Sequence, residues 1–275
     1  LNELNDILMR GAAAAADLGY GQHDDIPHLE SQGCLHTEEA NVSPRALERG
    51  MKALGTPGSG NHFLELQTVD GIADDATARS WGLSEGQLVV MIHSGSRGLG
   101  HQVCTDHVRA LEASYRQQND MWVNEAYGFA LPDRQLASAP FHSVAGQGYF
   151  DAMNAAANYA FANRAALAHR LREVLRLELG VDGEARTLYD VAHNIAKVEE
   201  HTVHGQSCTC CVHRKGATRA FPGNHPDVAS RFLHTGQPVV VPGDMGTGSW
   251  LMDAPVSGMN QAFGSSCHGA GRALS

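Results

Sequence analysis

Nowhere does this sequence approach the roughly 18 consecutive apolar residues that a bilayer span requires, and its first residues carry no secretory signal pattern. A soluble, cytoplasmic protein is the expectation. Cationic residues are scarce as well: Lys plus Arg number 20 against 30 Asp plus Glu, a net charge of −10. Long-range attraction of RNA or DNA is thereby disfavoured, and any nucleic-acid contact needs a local basic patch. No Gly-Lys-Ser/Thr follows a glycine-rich turn, which excludes the Walker-type phosphate loop. Internal repeats and low-complexity linkers are also missing, so residues 1–275 are expected to form one continuous domain, and 43% apolar residues suffice for a sizeable core. Six cysteines (Cys34, Cys104, Cys208, Cys210, Cys211 and Cys267) without a secretory signal read as reduced thiols. The sequence starts at Leu1 without methionine and stops at Ser275 just after a glycine-rich motif, so either end is expected to be cut from something longer.

What is abundant is histidine, 16 in all, more than packing needs; a surplus of imidazole points to metals or to proton and phosphoryl chemistry. The stretch VVMIHSGSRGLGHQ, Val89 to Gln102, organises the rest. An apolar β-type run ends at His93, passes through a turn containing Gly95, Gly98 and Gly100, and opens a helical pattern at His101. Glycines let backbone approach an anion, and a helix start offers unpaired N–H groups. Three further stretches set a histidine beside glycine or asparagine: SGNHFLE (Ser59 to Glu65), VAHN (Val191 to Asn194) and CHGAGR (Cys267 to Arg272).

Read in order, the pattern predicts an alanine-rich helix from Leu1 to about Leu18, stopped by Gly19, and then a polar loop over Tyr20 to Ala40. Ser43-Pro44 reads as N-cap and first turn of a second helix ending at Gly55. Strands are expected at Phe63–Val69 and Gln87–Ile92, joined by a connection over Asp70–Glu85. A helix follows from His101 to about Asn119, then a mixed region broken by Pro132 and Pro140. Gly148 to Leu179 is the longest helical signal, closed by Gly180. Its basic second half (Arg164, Arg170, Arg172, Arg176) reads first as a solvated face and second as an RNA-facing one. A short helix over Asp190–Val198 carries His193; strands follow near His201–Val203, Cys211–His213 and Pro238–Val241, the last running into the glycine-rich PGDMGTGS.

Phosphoryl and nucleotidyl transfer depend on positioning and charge neutralisation, hence on metals, Arg/Lys clamps and backbone N–H cradles. His62, His93 and His193 each sit where an element meets a turn, a sensible place for metal ligands. Each taken singly reads more simply as a structural histidine, and their spacing forms no compact ligand motif. His268, set beside Gly-Ala-Gly, can act as a nucleophile that forms a phosphoramidate. Cys208, Cys210 and Cys211 with His204 and His213 offer zinc donors, but C-x-C-C suits one tetrahedral site poorly, and a strand alternating its thiols is preferred.

The motifs GSGNHFLELQ, HSGSRGLGHQ, VAHNIAKVEEH, VHRKGATRAFPG, VVVPGDMGTGSW and CHGAGRALS, in this order from about Gly58 to the last residue, resemble the RtcB family of RNA ligases, which includes tRNA-splicing ligases. The resemblance implies a mixed α/β fold of RtcB type, with β-sheets bearing the motif turns at one edge and helices around them. It implies joining of an RNA 3′-phosphate or 2′,3′-cyclic phosphate to a 5′-hydroxyl, using GTP and Mn²⁺, two ions in the complete protein. Carried over to this sequence, the guanylylated residue is His268 and the manganese ligands are His62, His93 and His193. The guanylate lies against Asn61, His62, Phe63, Leu64, Glu65, His193, Asn194, Pro242, Gly243, Asp244, Met245, Ser249, His268, Gly269, Ala270 and Gly271. Arg97, Arg214, Lys215 and Arg219 hold RNA or triphosphate oxygens. The expected partners are RNA and GTP, with an activating protein left open.

Two departures accompany the resemblance. The family pattern has an Asp three residues before a metal-bridging Cys, and no cysteine here has an Asp three positions before it. The sequence also ends soon after HGAGR, where family members continue to a lysine that touches the guanosine. The resemblance therefore implies a family member truncated at both ends. Three functions follow for test: an RNA ligase with covalent GMP on His268; a metal-dependent phosphoesterase on the same scaffold; and a non-catalytic remnant that binds nucleotide or RNA.

Overall fold

A computed structural model describes residues 1–180, 185–244 and 246–269. In chain order the elements are α1 (Asn2–Arg10), α2 (Ala12–Asp17), α3 (Pro44–Met51), β1 (Phe63–Thr68), α4 (Asp75–Trp81), β2 (Leu88–His93) and α5 (Arg97–Ala113). Then come β3 (Arg116–Gln118), β4 (Met121–Asn124), β5 (Phe129–Leu131) and α6 (Val144–Leu179). The last third holds β6 (Asn194–Val203), β7 (Gln206–Lys215), β8 (Ala217–Arg219), β9 (Val239–Val241), β10 (Trp250–Met252), α7 (Ser257–Ala262) and β11 (Ser265–Cys267). The fold is mixed α/β, with helices and several small sheets. Among the described residues no helix is both long and apolar enough to cross a membrane.

The chain forms two compact units. The first comprises Leu1–Asp24, Gly33–Leu64 and Ile92–Ala185. Its centre is α6, which starts where the Ser143 side chain accepts the Gly146 N–H and stops at Gly180 in the left-handed conformation. Ala152, Ala155, Ala156, Tyr159 and Ala162 recur at three- and four-residue spacing and pack against Leu4, Ile7, Leu8, Ala46, Leu99 and Val103. Small side chains bring the helices close, and the Tyr159 hydroxyl donates to the Gly50 carbonyl at 2.8 Å.

Two expectations are corrected in this unit. The first helix is broken into α1 and α2 at Gly11, whose φ of 56° suits only glycine and where a Cβ would fall 2.1 Å from the Gly33 carbonyl oxygen. The helix after His93 starts at Arg97, not His101, so Gly98 and Gly100 are helical. A Cβ on Gly100 would meet the Ser96 Oγ at 2.0 Å, so close packing explains that glycine. The helix ends at Ala113, because β3 and β4 form a hairpin through Asn119-Asp120, both at positive φ. The basic half of α6 keeps Arg170 and Arg176 exposed, while three of its guanidinium groups also tie down backbone: Arg164 donates to Ser94 O, Arg170 to Gly55 O and Arg172 to Ala185 O.

The second unit comprises Asp25–Gln32, Glu65–Met91 and Arg186–Ser275. Its main feature is the antiparallel hairpin of β6 and β7, in register from Asn194↔Lys215 to Val203↔Gln206 through a His204-Gly205 turn with both φ positive. The short helix expected over Asp190–Val198 is instead the start of β6. That strand has inverted alternation: Lys197, Glu199 and His201 are buried, whereas Val198 is 46% exposed. The buried charges are paired. Lys197 Nζ lies 2.8 Å from Glu30 Oε1, and Arg214 makes a bidentate pair with Glu199 at 2.7 and 2.9 Å. The thiols of Cys208, Cys210 and Cys211 alternate along β7 as expected and are unbridged.

Trp81, Phe221, Val228 and Phe232 form the second unit's apolar centre, with Trp81 Nε1 donating to Thr235 Oγ1. Trp81 ends α4, a helix capped by Asp74 within the stretch expected to be plain connection. Antiparallel pairing joins β8 to β11 and β9 to β10.

Candidate functional site

The four histidines singled out by sequence fall as two pairs, one in each unit. In the first, His62 immediately precedes β1 and His93 is the last residue of β2. Their rings lie 5.5 Å apart at 67°, and Phe63 meets the His93 ring edge-on at 5.3 Å. Arg97, the first residue of α5, brings its Nη1 to 2.9 Å from His62 Nδ1. A guanidinium only donates, so Nδ1 accepts, and the proton of the neutral imidazole sits on Nε2. Burial, together with the Arg97 charge, holds the His62 imidazole below its ordinary pKa. Arg97 Nε also reaches Thr56 Oγ1 at 3.4 Å. Gly58, at φ 98°, leaves room for this side chain: a Cβ there would fall 2.0 Å from Arg97 Nη1.

In the second unit the His193 and His268 rings stack, centroids 3.7 Å apart and planes 18° from parallel. Backbone bonds fix them around one turn. His268 N donates to Gly216 O at 3.2 Å, Ala217 N donates to His193 O at 3.2 Å, and Gly216 N donates to Asn194 Oδ1 at 2.9 Å. Burial lowers the His268 imidazole below its ordinary pKa, which favours the neutral, nucleophilic form.

β11, which leads into His268, is held from below. Arg214, paired with Glu199, also donates from Nε to Ser265 Oγ and from Nη2 to Phe263 O, each at 2.9 Å. Burial pushes the Glu199 carboxyl up; the hydrogen bonds from Arg214 and His201 outweigh it, so it lies below its ordinary value.

This geometry corrects the expectation that Arg214 and Arg219 hold RNA or triphosphate oxygens. They are only 3% and 4% exposed. Arg214 is spent on Glu199 and β11, and Arg219 reaches Glu30 at 3.4 Å, the Asp227 carbonyl at 3.2 Å and the Phe221 ring face. Lys215, between them in sequence, is exposed.

Of the residues expected at the guanylate, Asn61, Leu64 and Glu65 are exposed at the surface, with Gln67 Nε2 donating to Glu65 Oε2 and to Ser249 Oγ. The loop after β9 is a tight turn: Gly243 N donates to Ser249 Oγ at 3.1 Å, Asp244 pairs with Thr247, and Asp244 Oδ1 accepts the Gly246 N–H, which lowers its carboxyl pKa. Pro242 and Gly269 flank each other, a Cβ on Gly269 lying 3.8 Å from the Pro242 carbonyl oxygen. Met245, Ala270 and Gly271 lie outside the described residues. Glu199, inside the VAHNIAKVEEH motif but given no role by it, and Asn163, bonded to the turn after His93, are supporting residues that the sequence alone does not single out.

A family model described as tRNA-splicing ligase RtcB matches residues 1–275. A tRNA-splicing ligase RtcB of Thermococcus kodakarensis is 50% identical over 277 residues, covering 99% of this chain and 56% of the relative. A protein of the same name from Archaeoglobus fulgidus is 47% identical, again over 99% of this chain and 56% of the relative. An RNA-splicing ligase RtcB of Mycobacterium bovis is 48% identical over 100% of this chain and 61% of the relative. The chain thus spans little more than half the length of these relatives.

Proposed function

Because this chain belongs to the RtcB family of tRNA-splicing ligases, we propose that it carries the chemistry of a GTP- and Mn²⁺-dependent RNA ligase, joining a 3′-phosphate or 2′,3′-cyclic phosphate end to a 5′-hydroxyl end. The observation that carries this reading furthest is His268: an imidazole stacked on His193, tied through its own backbone to Gly216, and set where burial favours its neutral form.

His268 attacks the α-phosphorus of GTP; an N–P bond forms, the bond to the β-phosphate oxygen breaks, and pyrophosphate leaves with the electron pair. The RNA 3′-phosphate then takes GMP from His268, restoring the imidazole. Finally the 5′-hydroxyl attacks that activated phosphate, loses its proton, and GMP departs. His193 limits rotation of the His268 ring, so its nitrogen is presented without a search of conformers. Asn194 holds the Gly216 turn against which His268 is anchored.

The donor set suits the metal. His62, His93 and His193 supply imidazoles, and burial, with the Arg97 charge, favours the neutral form of His62. Binding through His62 Nε2 puts the proton on Nδ1 and so requires Arg97 to move off that atom. Bound Mn²⁺ supplies neutralisation of phosphoryl charge. Arg97 and the exposed Lys215 are the groups left to meet RNA or triphosphate oxygens, which gives an acidic chain its local basic contact. The guanylate is assigned to Asn61–Glu65, Asn194, Pro242–Met245, Ser249 and His268–Gly271. Transfer of label from α-labelled GTP to His268 tests the reading; Mn²⁺-dependent hydrolysis of the RNA phosphate without a labelled protein favours the phosphoesterase alternative, and metal or nucleotide binding without either favours the non-catalytic one.

A further inference from the structure

Asn163 on α6 is fully buried, and its single amide engages both loops that carry the histidines of the first unit. Its Oδ1 accepts the backbone N–H groups of Gly55 at 2.7 Å and Thr56 at 3.1 Å. Its Nδ2 donates to Thr56 O at 3.2 Å, Ser94 Oγ at 3.1 Å and Gly95 O at 3.1 Å. An amide has two lone pairs and two N–H groups, so every one is in use. Gly55 and Thr56 open the loop that runs to His62; Ser94 and Gly95 are the two residues after His93.

The surrounding bonds join the two loops and lead from this amide to Arg97 and the His62 imidazole. Ser94 Oγ lies 2.9 Å from Pro57 O, which links the two loops directly. Thr56 Oγ1 faces Arg97 Nε, and Arg97 Nη1 reaches His62 Nδ1. From the same helix, Arg164 donates to Ser94 O and Arg170 to Gly55 O.

We infer that Asn163 is a positioning residue: by fixing the loop before His62 and the turn after His93 to one rigid helix, it sets the spacing of the two imidazoles for the metal. This rests on the reading of His62 and His93 as metal ligands. Groups behind the ligands orient them, and their loss typically weakens metal affinity. The same helix supplies a control. Asn158 is equally buried and also bonded through both ends of its amide, donating to Leu8 O and Leu35 O at 2.9 Å and accepting the Leu35 N–H at 2.6 Å, but it touches neither histidine loop.

The experiment compares the wild-type chain with Asn163→Ala, Asn163→Asp, Asn158→Ala and His93→Ala. Mn²⁺ affinity is measured by the electron spin resonance of the free ion, below the melting temperature of every variant, and backbone amide exchange is followed without metal. Asn163→Ala is expected to weaken Mn²⁺ binding by about tenfold or more, and to speed exchange at Gly55, Thr56 and Gly95 while α5 and the rest of α6 stay protected. Asn158→Ala is expected to melt earlier with Mn²⁺ affinity within about twofold of wild type, since it leaves the ligand loops untouched. Asn163→Asp keeps the acceptor for Gly55 and Thr56 but, when ionised, cannot donate to Thr56 O, Ser94 Oγ or Gly95 O, and it too is expected to weaken Mn²⁺ binding.

Wild-type Mn²⁺ affinity in Asn163→Ala, or in Asn163→Asp if the alanine variant does not fold, overturns the inference, as does equal weakening by Asn158→Ala. If His93→Ala abolishes binding while the Asn163 variants leave it intact, the inference alone falls. If the wild-type chain binds no Mn²⁺, or His93→Ala has no effect, the metal reading falls and the inference with it.

Discussion

His193 and His268 stack face to face in the second unit, ring centroids 3.7 Å apart. Two rings so close cannot both carry a proton cheaply, and the burial of His268 already favours its neutral form. Stacking also removes a rotational freedom that a nucleophile would otherwise have to lose at the moment of attack. Replacing His193 by Ala removes this platform along with one proposed metal donor. The rate of covalent labelling from α-labelled GTP is expected to fall by about a hundredfold or more. An unchanged initial rate in His193→Ala would show that neither role is real.

Glu30 gives the second unit an acid limit. Burial pushes its carboxyl up, but the Lys197 ammonium and the Arg219 guanidinium outweigh burial and hold the pKa at about 2, against an ordinary 4.5. The folded pKa is depressed, so the ionised carboxylate contributes its full stability above about 4.5 and loses it as pH falls through about 2. Glu30→Gln strands Lys197 and Arg219 without their carboxylate and is expected to cost about 3–5 kcal/mol near neutrality. Thermal melts from pH 7 to pH 2 check both statements: the variant melts lower at neutral pH and shows a shallower fall in the acid window. Equal slopes in the two proteins would remove Glu30 from the explanation.

Glu199 acts on the site through Arg214. With Glu199→Ala the buried guanidinium retains only Ser265 Oγ and Phe263 O, an uncompensated charge expected to cost about 3–5 kcal/mol. Arg214, no longer held by Glu199, then fixes β11, and through it His268, less firmly. The melting temperature falls and, at a temperature where the variant is still folded, GMP transfer slows. Glu199→Gln keeps the shape and one acceptor and is expected to lose less in both measurements. A variant that melts early yet labels at the wild-type rate would confine Glu199 to stability.

Local chemistry that sequence displays is what sequence reveals. Ser43-Pro44 caps α3 as its residue types dictate, Gly180 closes α6, and the apolar run before His93 is β2. Asp74 caps α4, but seven residues carry too little periodicity to stand out from a connection. β6 defeats hydropathy because its buried face is Lys197, Glu199 and His201, tolerable only with Glu30 and Arg214 supplied from elsewhere in the chain. The break at Gly11 likewise depends on a carbonyl 22 residues away, that of Gly33. His62, His93, His193 and His268 stand out in the sequence because glycine or asparagine lies close beside each. Arg214 and Arg219 misled because charge in a sequence does not say whether a carboxylate waits inside the fold. Asn163 has no signal at all, since nothing local separates a buried asparagine from an exposed one.

The most direct test of the ligase reading is incubation of the chain with α-labelled GTP and Mn²⁺, then denaturing electrophoresis, with His268→Ala in parallel. Acid-labile label on the wild-type chain and none on His268→Ala is the predicted result. An unlabelled wild-type chain, or label of equal strength on His268→Ala, contradicts the assignment of His268 as the residue that takes GMP.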